Sequence, residues 1–312
     1  MSQVDISIII PFYNEEATIS ILGAELCAFS DSKPELKLEF ILVNDGSFDR
    51  SVSIIRASTF PARTKLISMS KNFGSHEALR AGIMHASGAN ITFLYADLQD
   101  PIDNVIRMFE KIEEGIEIVW AYRTQTQVSF FERKFSTLYS KLMRKYVNPS
   151  FPTLGFDVVM FSSKVAKELN KNIESNSSIF LQILNLGFKS TFIEYQKKRR
   201  TAGESKWTIS KKIKLVIDSF IAFSYAPIRF VSLLGISFFL AGVLWTIYIT
   251  TRQLLFDDLV AGWPMLTSIL LLGFGVTNIA LGIIAEYLWR TLDAARRRPV
   301  FIIDKIIDLD ND

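Results

Sequence analysis

Two long uncharged apolar runs near the C-terminus, residues 230–251 and 259–285, limit what this chain can fold into. The first is bordered by Arg229 and Arg252, the second by Asp258 and Glu286. A bilayer hydrocarbon core of roughly 30 Å needs about 20 apolar residues in a helix, so each run is long enough to span it. Two transmembrane helices are therefore expected, at about 230–251 and 264–286 within a region 229–290. Lys197, Lys198, Arg199, Arg200, Lys206, Lys211, Lys212, Lys214 and Arg229 precede the first run, and Arg290, Arg296, Arg297 and Arg298 follow the second. The short segment between them offsets Arg252 with Asp257 and Asp258. Basic flanks stay on the cytoplasmic side, so both termini and the large N-terminal region are expected there. In the second run Gly275, Asn278 and Gly282 recur at helical spacing, a pattern suited to close helix packing.

Just before the first run, in residues 207–224, Ile209, Ile213, Val216, Ile217 and Phe220 share one helical face, and Lys211, Lys214 and Asp218 the other. This reads as an interfacial amphipathic helix on anionic headgroups, assigned to residues 207–228. The net charge of +3 is too small, and its basic residues too close to the apolar runs, to suggest nucleic-acid binding. A single cysteine, Cys27, excludes an intrachain disulfide, and two histidines, His76 and His85, argue against a zinc site. A metal would have oxygen ligands, which selects Mg²⁺ or Mn²⁺. Residues 1–10 lack the basic leader and long apolar stretch of a signal peptide and read as a buried strand.

Residues 1–206 alternate short β-rich runs (6–10, 40–43, 65–68, 91–95, 116–121) with helical stretches (18–30, 51–59, 76–85, 104–114). This predicts an α/β fold with a mainly parallel sheet. Ligands bind such sheets beyond the carboxyl ends of the strands. Four polar turns follow strands there: P-F-Y-N-E-E (11–16), N-D-G-S (44–47), K-N-F-G (71–74) and A-D-L-Q-D-P (96–101). Asp45 suits ribose hydroxyls or a base edge, and Gly46 lets the backbone approach a ligand. The four turns together form one candidate site.

These motifs, in this order, resemble glycosyltransferase family 2, most nearly its polyprenyl-phosphate glycosyltransferases. The similarity extends over nearly the whole chain, including R-x-x-G-x-S-K-W at 200–207 and the two apolar runs. The resemblance implies a Rossmann-like GT-A domain (1–206), the interfacial helix, the two spans and a cytoplasmic tail (291–312). It implies transfer of a sugar from a nucleotide diphosphate to a polyprenyl phosphate, undecaprenyl phosphate in a bacterial membrane, with inversion. UDP-glucose is the first expectation for the donor, with N-acetylglucosamine, galactose and mannose as alternatives.

By the same resemblance Pro11, Tyr13, Glu15, Asn44, Asp45, Asn72, Gly74 and Asp97 line the nucleotide-sugar site, and Asp97 with Gln99 holds the metal. Asp157, in the Gly155-Phe156-Asp157 context, is the carboxylate at the reaction centre, as base or as metal partner. Arg123, Arg133, Ser136, Arg200, Ser205 and Lys206 are the expected acceptor-phosphate ligands, arginine being suited to bidentate grip. Two departures stand out. Tyr95 replaces the first acid of the family's Asp-Ala-Asp-Leu-Gln metal motif, and Asn44 stands where Asp is common. A processive polysaccharide synthase is disfavoured by the absence of a Gln-x-x-Arg-Trp motif. An inactive membrane scaffold draws support from Tyr95, but the retained Asp45, Asp97, Gln99, Asp157 and Arg123 oppose it. Two spans enclose little space for a lipid, so a homo-oligomer such as a tetramer is expected.

Overall fold

The computed structural model describes residues 4–124, 130–152, 157–171, 178–196, isolated positions between 230 and 255, 263–296 and 299–309; within helices some side chains are left out. The chain divides into two compact units, one of Met1–Val216 with Pro299–Asp312 and one of Ile217–Arg298.

The first unit is built on an eight-stranded sheet. Its strands are β1 (Ile6–Phe12), β2 (Leu38–Asn44), β3 (Thr64–Met69), β4 (Asn90–Phe93), β5 (Ile118–Arg123), β6 (Val158–Ser162), β7 (Ser190–Tyr195) and β8 (Ile303–Asp308), in the order β7-β5-β6-β4-β1-β2-β3-β8. The pairs β1–β2, β1–β4, β2–β3 and β5–β7 are parallel, while β6 runs antiparallel to β4 and β5, and β8 antiparallel to β3. The mainly parallel expectation thus becomes a mixed sheet. β8 lies in the segment expected to be a tail: Ile303, Ile306 and Ile307 supply the β-branched residues that let it pair with β3.

Strands β1 and β2 are buried throughout and read as continuous apolar runs, the pattern of strands covered on both faces. One face of the sheet packs Ile6, Ile8 and Ile10 with Leu22 and Leu26 of α1 (Ile19–Asp31) and Met108 of the helix Asn104–Glu113. On the other face, a Cβ added at Gly82 of the helix Ser75–His85 would fall 2.3 Å from Ile9. In chain order the helices are α1, α2 (Ser51–Ala57), α3 (Ser75–His85), α4 (Asn104–Glu113), α5 (Phe130–Tyr146), α6 (Ser163–Lys171), α7 (Ile179–Asn185) and α8 (Trp263–Arg296).

Helix α8, 34 residues long, belongs to the second unit. It covers the expected span 264–286 but continues past that apolar border through Glu286, Arg290 and Asp293. The expected span 230–251 and the interfacial helix 207–228 lie largely or wholly outside the described residues. Among the described residues, no helix is long and apolar enough to cross a membrane. The two spans expected from hydropathy are therefore not established by the fold.

Candidate active site

The carboxyl ends of β1, β2 and β3 meet because their register is parallel. Phe12 lies opposite Asn44, and Asn44 opposite Ser68, so the three following turns leave the sheet side by side. The first two are stitched together. The Asn14 and Glu15 amides donate to the hydroxyls of Ser47 and Ser51, each at 2.9 Å, and the Phe48 amide donates to Asn14 Oδ1 at 3.0 Å. Thr18 Oγ1 donates to a carboxylate oxygen of Glu15 at 3.2 Å.

Asn44 is buried, and its Oδ1 accepts the Ser47 amide at 2.8 Å, so its side chain shapes the second turn. The buried amide oxygen there satisfies a turn N–H that would otherwise be orphaned. The Asp45 carboxylate accepts the Phe73 amide at 2.7 Å and the Gly74 amide at 3.0 Å. Its burial raises the carboxyl pKa despite those two amides. Asp45 therefore anchors the K-N-F-G turn. Gly46, at φ 69°, allows that turn to pass: a Cβ there would lie 2.3 Å from the Lys71 carbonyl carbon.

Other residues expected at the nucleotide site lie in or next to these turns. Pro11 is buried in β1, Tyr13 is half-buried, and Asn72 is exposed. Gly74, at φ 118°, precedes α3. The Tyr13 ring meets Phe48 edge to face with centroids 6.0 Å apart, and Phe48 is 82% exposed. Phe48 escaped the sequence reading because a single aromatic in a polar turn has no periodic signal.

The fourth turn builds the other half of the site. Leu98 adopts φ 56°, and the Gln99 amide donates to Asp97 Oδ1 at 3.3 Å. Thr92 lies opposite Met160 in the antiparallel β4–β6 pair, Tyr95 follows the end of β4 and Asp157 precedes the start of β6. Arg123, at the end of β5, sets its Nε 3.5 Å from Asp157 Oδ2. Arg123 lies opposite Tyr195 in the parallel β5–β7 pair, and the Tyr195 hydroxyl donates to Asp100 Oδ1 at 2.5 Å. The phenol of Tyr95 is held well above its usual range, first by burial and then by the carboxylates of Asp100, Asp157 and Asp97. The same causes act on Tyr195, where burial leads, followed by Asp157 and Asp100.

Asp97, Asp100 and Asp157 thus share one anionic neighbourhood. Among the described residues no three His, Cys, Asp or Glu side chains converge into a ready cage for a metal. The donors available are oxygens, which fits a hard divalent ion held by one or two carboxylates and completed by phosphate oxygens and water. Arg133 and Ser136 lie on α5, with side chains outside the described set. Gly155, Phe156, Arg200, Ser205 and Lys206 also fall outside the described residues. Sequence reasoning assigned no role to Asp100 or Tyr195. Asp100 sits inside a quoted motif, but its partner is far away in the chain, and no local pattern reports such a pair.

Comparison with known proteins gives the family. Residues 7–170, more than half of the chain, match the family described as Glycosyl transferase family 2. An uncharacterized glycosyltransferase, YkcC, of Bacillus subtilis is 35% identical over 98% of this chain and 95% of its own length. A prophage bactoprenol glucosyl transferase homolog of Escherichia coli is 31% identical, covering 96% of this chain and 99% of its own. An undecaprenyl-phosphate 4-deoxy-4-formamido-L-arabinose transferase of Edwardsiella ictaluri is 30% identical, covering 97% and 94%. In fold, the chain is similar to glucosyl-3-phosphoglycerate synthase of Mycobacterium tuberculosis, solved with Mg²⁺ and UDP: TM-score 0.50, 18% identity, 70% of this chain and 78% of that one. The interlocked turns, the carboxylates beside Arg123 and the near-full-length likeness to named transferases lead to one conclusion: the chain is a glycosyltransferase and belongs to glycosyl transferase family 2.

Proposed function

We propose that this protein transfers a single sugar, glucose from UDP-glucose in the first instance, to the phosphate of a polyprenyl lipid with inversion at the sugar carbon. The observation that carries the reading is the Arg123–Asp157 pair at 3.5 Å, beside the turn that bears Asp97 and Gln99. A phosphate acceptor needs a cation to receive it, and a donor diphosphate needs hard-ion ligands nearby. Arg123 would serve the first, and Asp97 with Gln99 the second. The relatives named as bactoprenol glucosyl and undecaprenyl-phosphate transferases support the acceptor class. They also differ in the sugar they name, so N-acetylglucosamine, galactose and mannose stay as alternatives.

In this reading Asp45 holds the K-N-F-G turn, Tyr13 and Glu15 flank the nucleoside, and Asp97 with Gln99 holds Mg²⁺ or Mn²⁺. The bound ion would neutralise charge growing on the leaving diphosphate. Arg123 has five N–H donors, enough to serve Asp157 and an acceptor phosphate oxygen together. The acceptor is already anionic near neutral pH, so positioning does more for the rate than proton removal. Asp157 orients the guanidinium and stands beside the attacking oxygen.

The membrane part of the proposal is that residues 207–228 lie on the cytoplasmic face, residues 230–251 and 264–286 span the bilayer, and several copies assemble. Its support is the hydropathy and flanking charge of the sequence, together with exposed Leu266, Ile269, Phe274, Ile279, Leu281 and Ile284 around α8. A helix apolar on many sides needs an apolar surrounding. A test is nucleoside diphosphate release from a panel of nucleotide sugars, with and without polyprenyl phosphate. Release that depends on the lipid and on one donor is expected; equal release without the lipid would refute the acceptor assignment.

A further inference from the structure

Tyr195 joins three segments of the site. As the last residue of β7 it lies opposite Arg123 in the register, and its carbonyl accepts the Thr124 amide at 3.0 Å and the Thr124 hydroxyl at 3.2 Å. Its phenol donates to Asp100 Oδ1 at 2.5 Å. Both partners of that bond are buried, each 4% exposed. Asp100 closes the same turn that carries Asp97 and Gln99. One residue is therefore bonded through its backbone to the strand end that presents Arg123, and through its side chain to the donor turn.

We propose that Tyr195 is a positioning residue, whose bond to Asp100 fixes the 95–101 turn at a set distance from Arg123 and Asp157. The proposal rests on the reading of Asp97 and Gln99 as donor-side ligands and of Arg123 as acceptor-side. A buried hydrogen bond to a carboxylate is among the stronger ones a protein makes, because the acceptor carries charge and water does not compete. The phenol also gives the buried Asp100 carboxylate a hydrogen-bond donor. Without it the turn keeps its covalent path but loses its tie to β7. In-line transfer is sensitive to displacements on the order of 1 Å, so the loss acts on turnover before it acts on binding.

The test is Tyr195→Phe in the full-length protein, which removes one oxygen and keeps the ring. Hydrogen exchange of peptides covering 94–101 is measured without substrate, against peptides from β1 and β2. Exchange in 94–101 is expected to quicken by about tenfold with β1 and β2 unchanged. In the transfer assay kcat is expected to fall by about tenfold with the acceptor KM changed less than twofold. Unchanged exchange in 94–101 would overturn the proposal. A uniform rise that includes β1 and β2 would also overturn it, marking Tyr195 as a residue of general stability. A loosened turn with undiminished kcat would remove the positioning role. Exchange is read on the protein alone, so it holds whatever the acceptor is. Failure of the wild-type protein to make a lipid-linked product would sink the acceptor reading and leave this result standing.

Discussion

Arg123 Nε stands 3.5 Å from Asp157 Oδ2 where the ends of β5 and β6 meet, and the pair is only partly exposed. The arginine is paired with Asp157, whose charge acts on the Tyr95 phenol together with those of Asp97 and Asp100. Removing one partner leaves the other with a charge it must settle elsewhere. Asp157→Asn is expected to lower kcat by about 100-fold while the protein still binds UDP. Arg123→Gln is expected to raise the acceptor KM more than the donor KM. Steady-state kinetics with each substrate varied in turn check both.

Gly46→Ala should reduce donor affinity and stability together. The new methyl would face the backbone of Lys71 at 2.3 Å and that of Asn72 at 2.6 Å, at a φ of 69° that L side chains rarely adopt. Backbone cannot step aside as a flexible side chain can. The cost is expected at about 1–3 kcal/mol, and relief would come by moving the turn that Asp45 anchors. Thermal unfolding and UDP titration measure the two effects.

Acid should weaken the fold in two stages. His76 lies under Phe180, centroids 5.9 Å apart, and its pKa is lowered to about 4, by burial first and then by the Arg80 charge. The unfolded chain binds a proton near pH 6.5 that the folded one refuses, so the stability tied to His76 is full above that pH and is lost as pH falls toward about 4. Glu39 acts lower down. Burial pushes its carboxyl up, but hydrogen bonds from Lys65, Ser7 and Ser87 together carry it below the usual glutamate range. Its contribution is full above that range and disappears as pH falls below it. Melting temperatures across pH are expected to fall less between 6.5 and 4 in His76→Phe than in the wild type. Glu39→Gln is expected to lower stability at neutral pH by about 1–3 kcal/mol and to flatten the more acid limb.

Tyr95→Asp should make the protein more dependent on a divalent ion. A fourth carboxylate beside Asp97, Asp100 and Asp157 adds repulsion when no cation is bound and adds a ligand when one is. The variant is expected to melt earlier than wild type in chelator and to gain more from Mn²⁺. Mn²⁺ binding followed by electron paramagnetic resonance is expected to tighten by about tenfold. Equal affinity in the two proteins would mean that position 95 does not face the ion.

The α/β alternation was legible because β1 and β2 are continuous apolar runs and the helices between them carry their own period. The four turns could be located because each ends a strand. What local pattern could not convey was who bonds to whom. The Asp45 carboxylate accepts amides of Phe73 and Gly74, a bond between two turns that neither turn announces by itself. The Asn44 side chain accepts the Ser47 amide of its own turn. Tyr195 and Asp100 are 95 residues apart and meet through a side-chain bond, and β8 comes from the other end of the chain to pair with β3. Long-range pairings leave no periodicity to read. The two spans are an expectation from hydropathy alone; residues 230–251 lie mostly outside the described positions, and α8 runs beyond the apolar border of the second.

The central claim is transfer of a sugar onto a lipid monophosphate. It is tested most directly by mass spectrometry of the organic-soluble product made by the full-length protein from UDP-glucose, undecaprenyl phosphate and Mg²⁺, with the other nucleotide sugars run in parallel. The account predicts a lipid carrying one hexose through one phosphate, formed about 100-fold more slowly by Asp157→Asn. A product with two phosphates, or no lipid product from any donor by a folded protein, would contradict it.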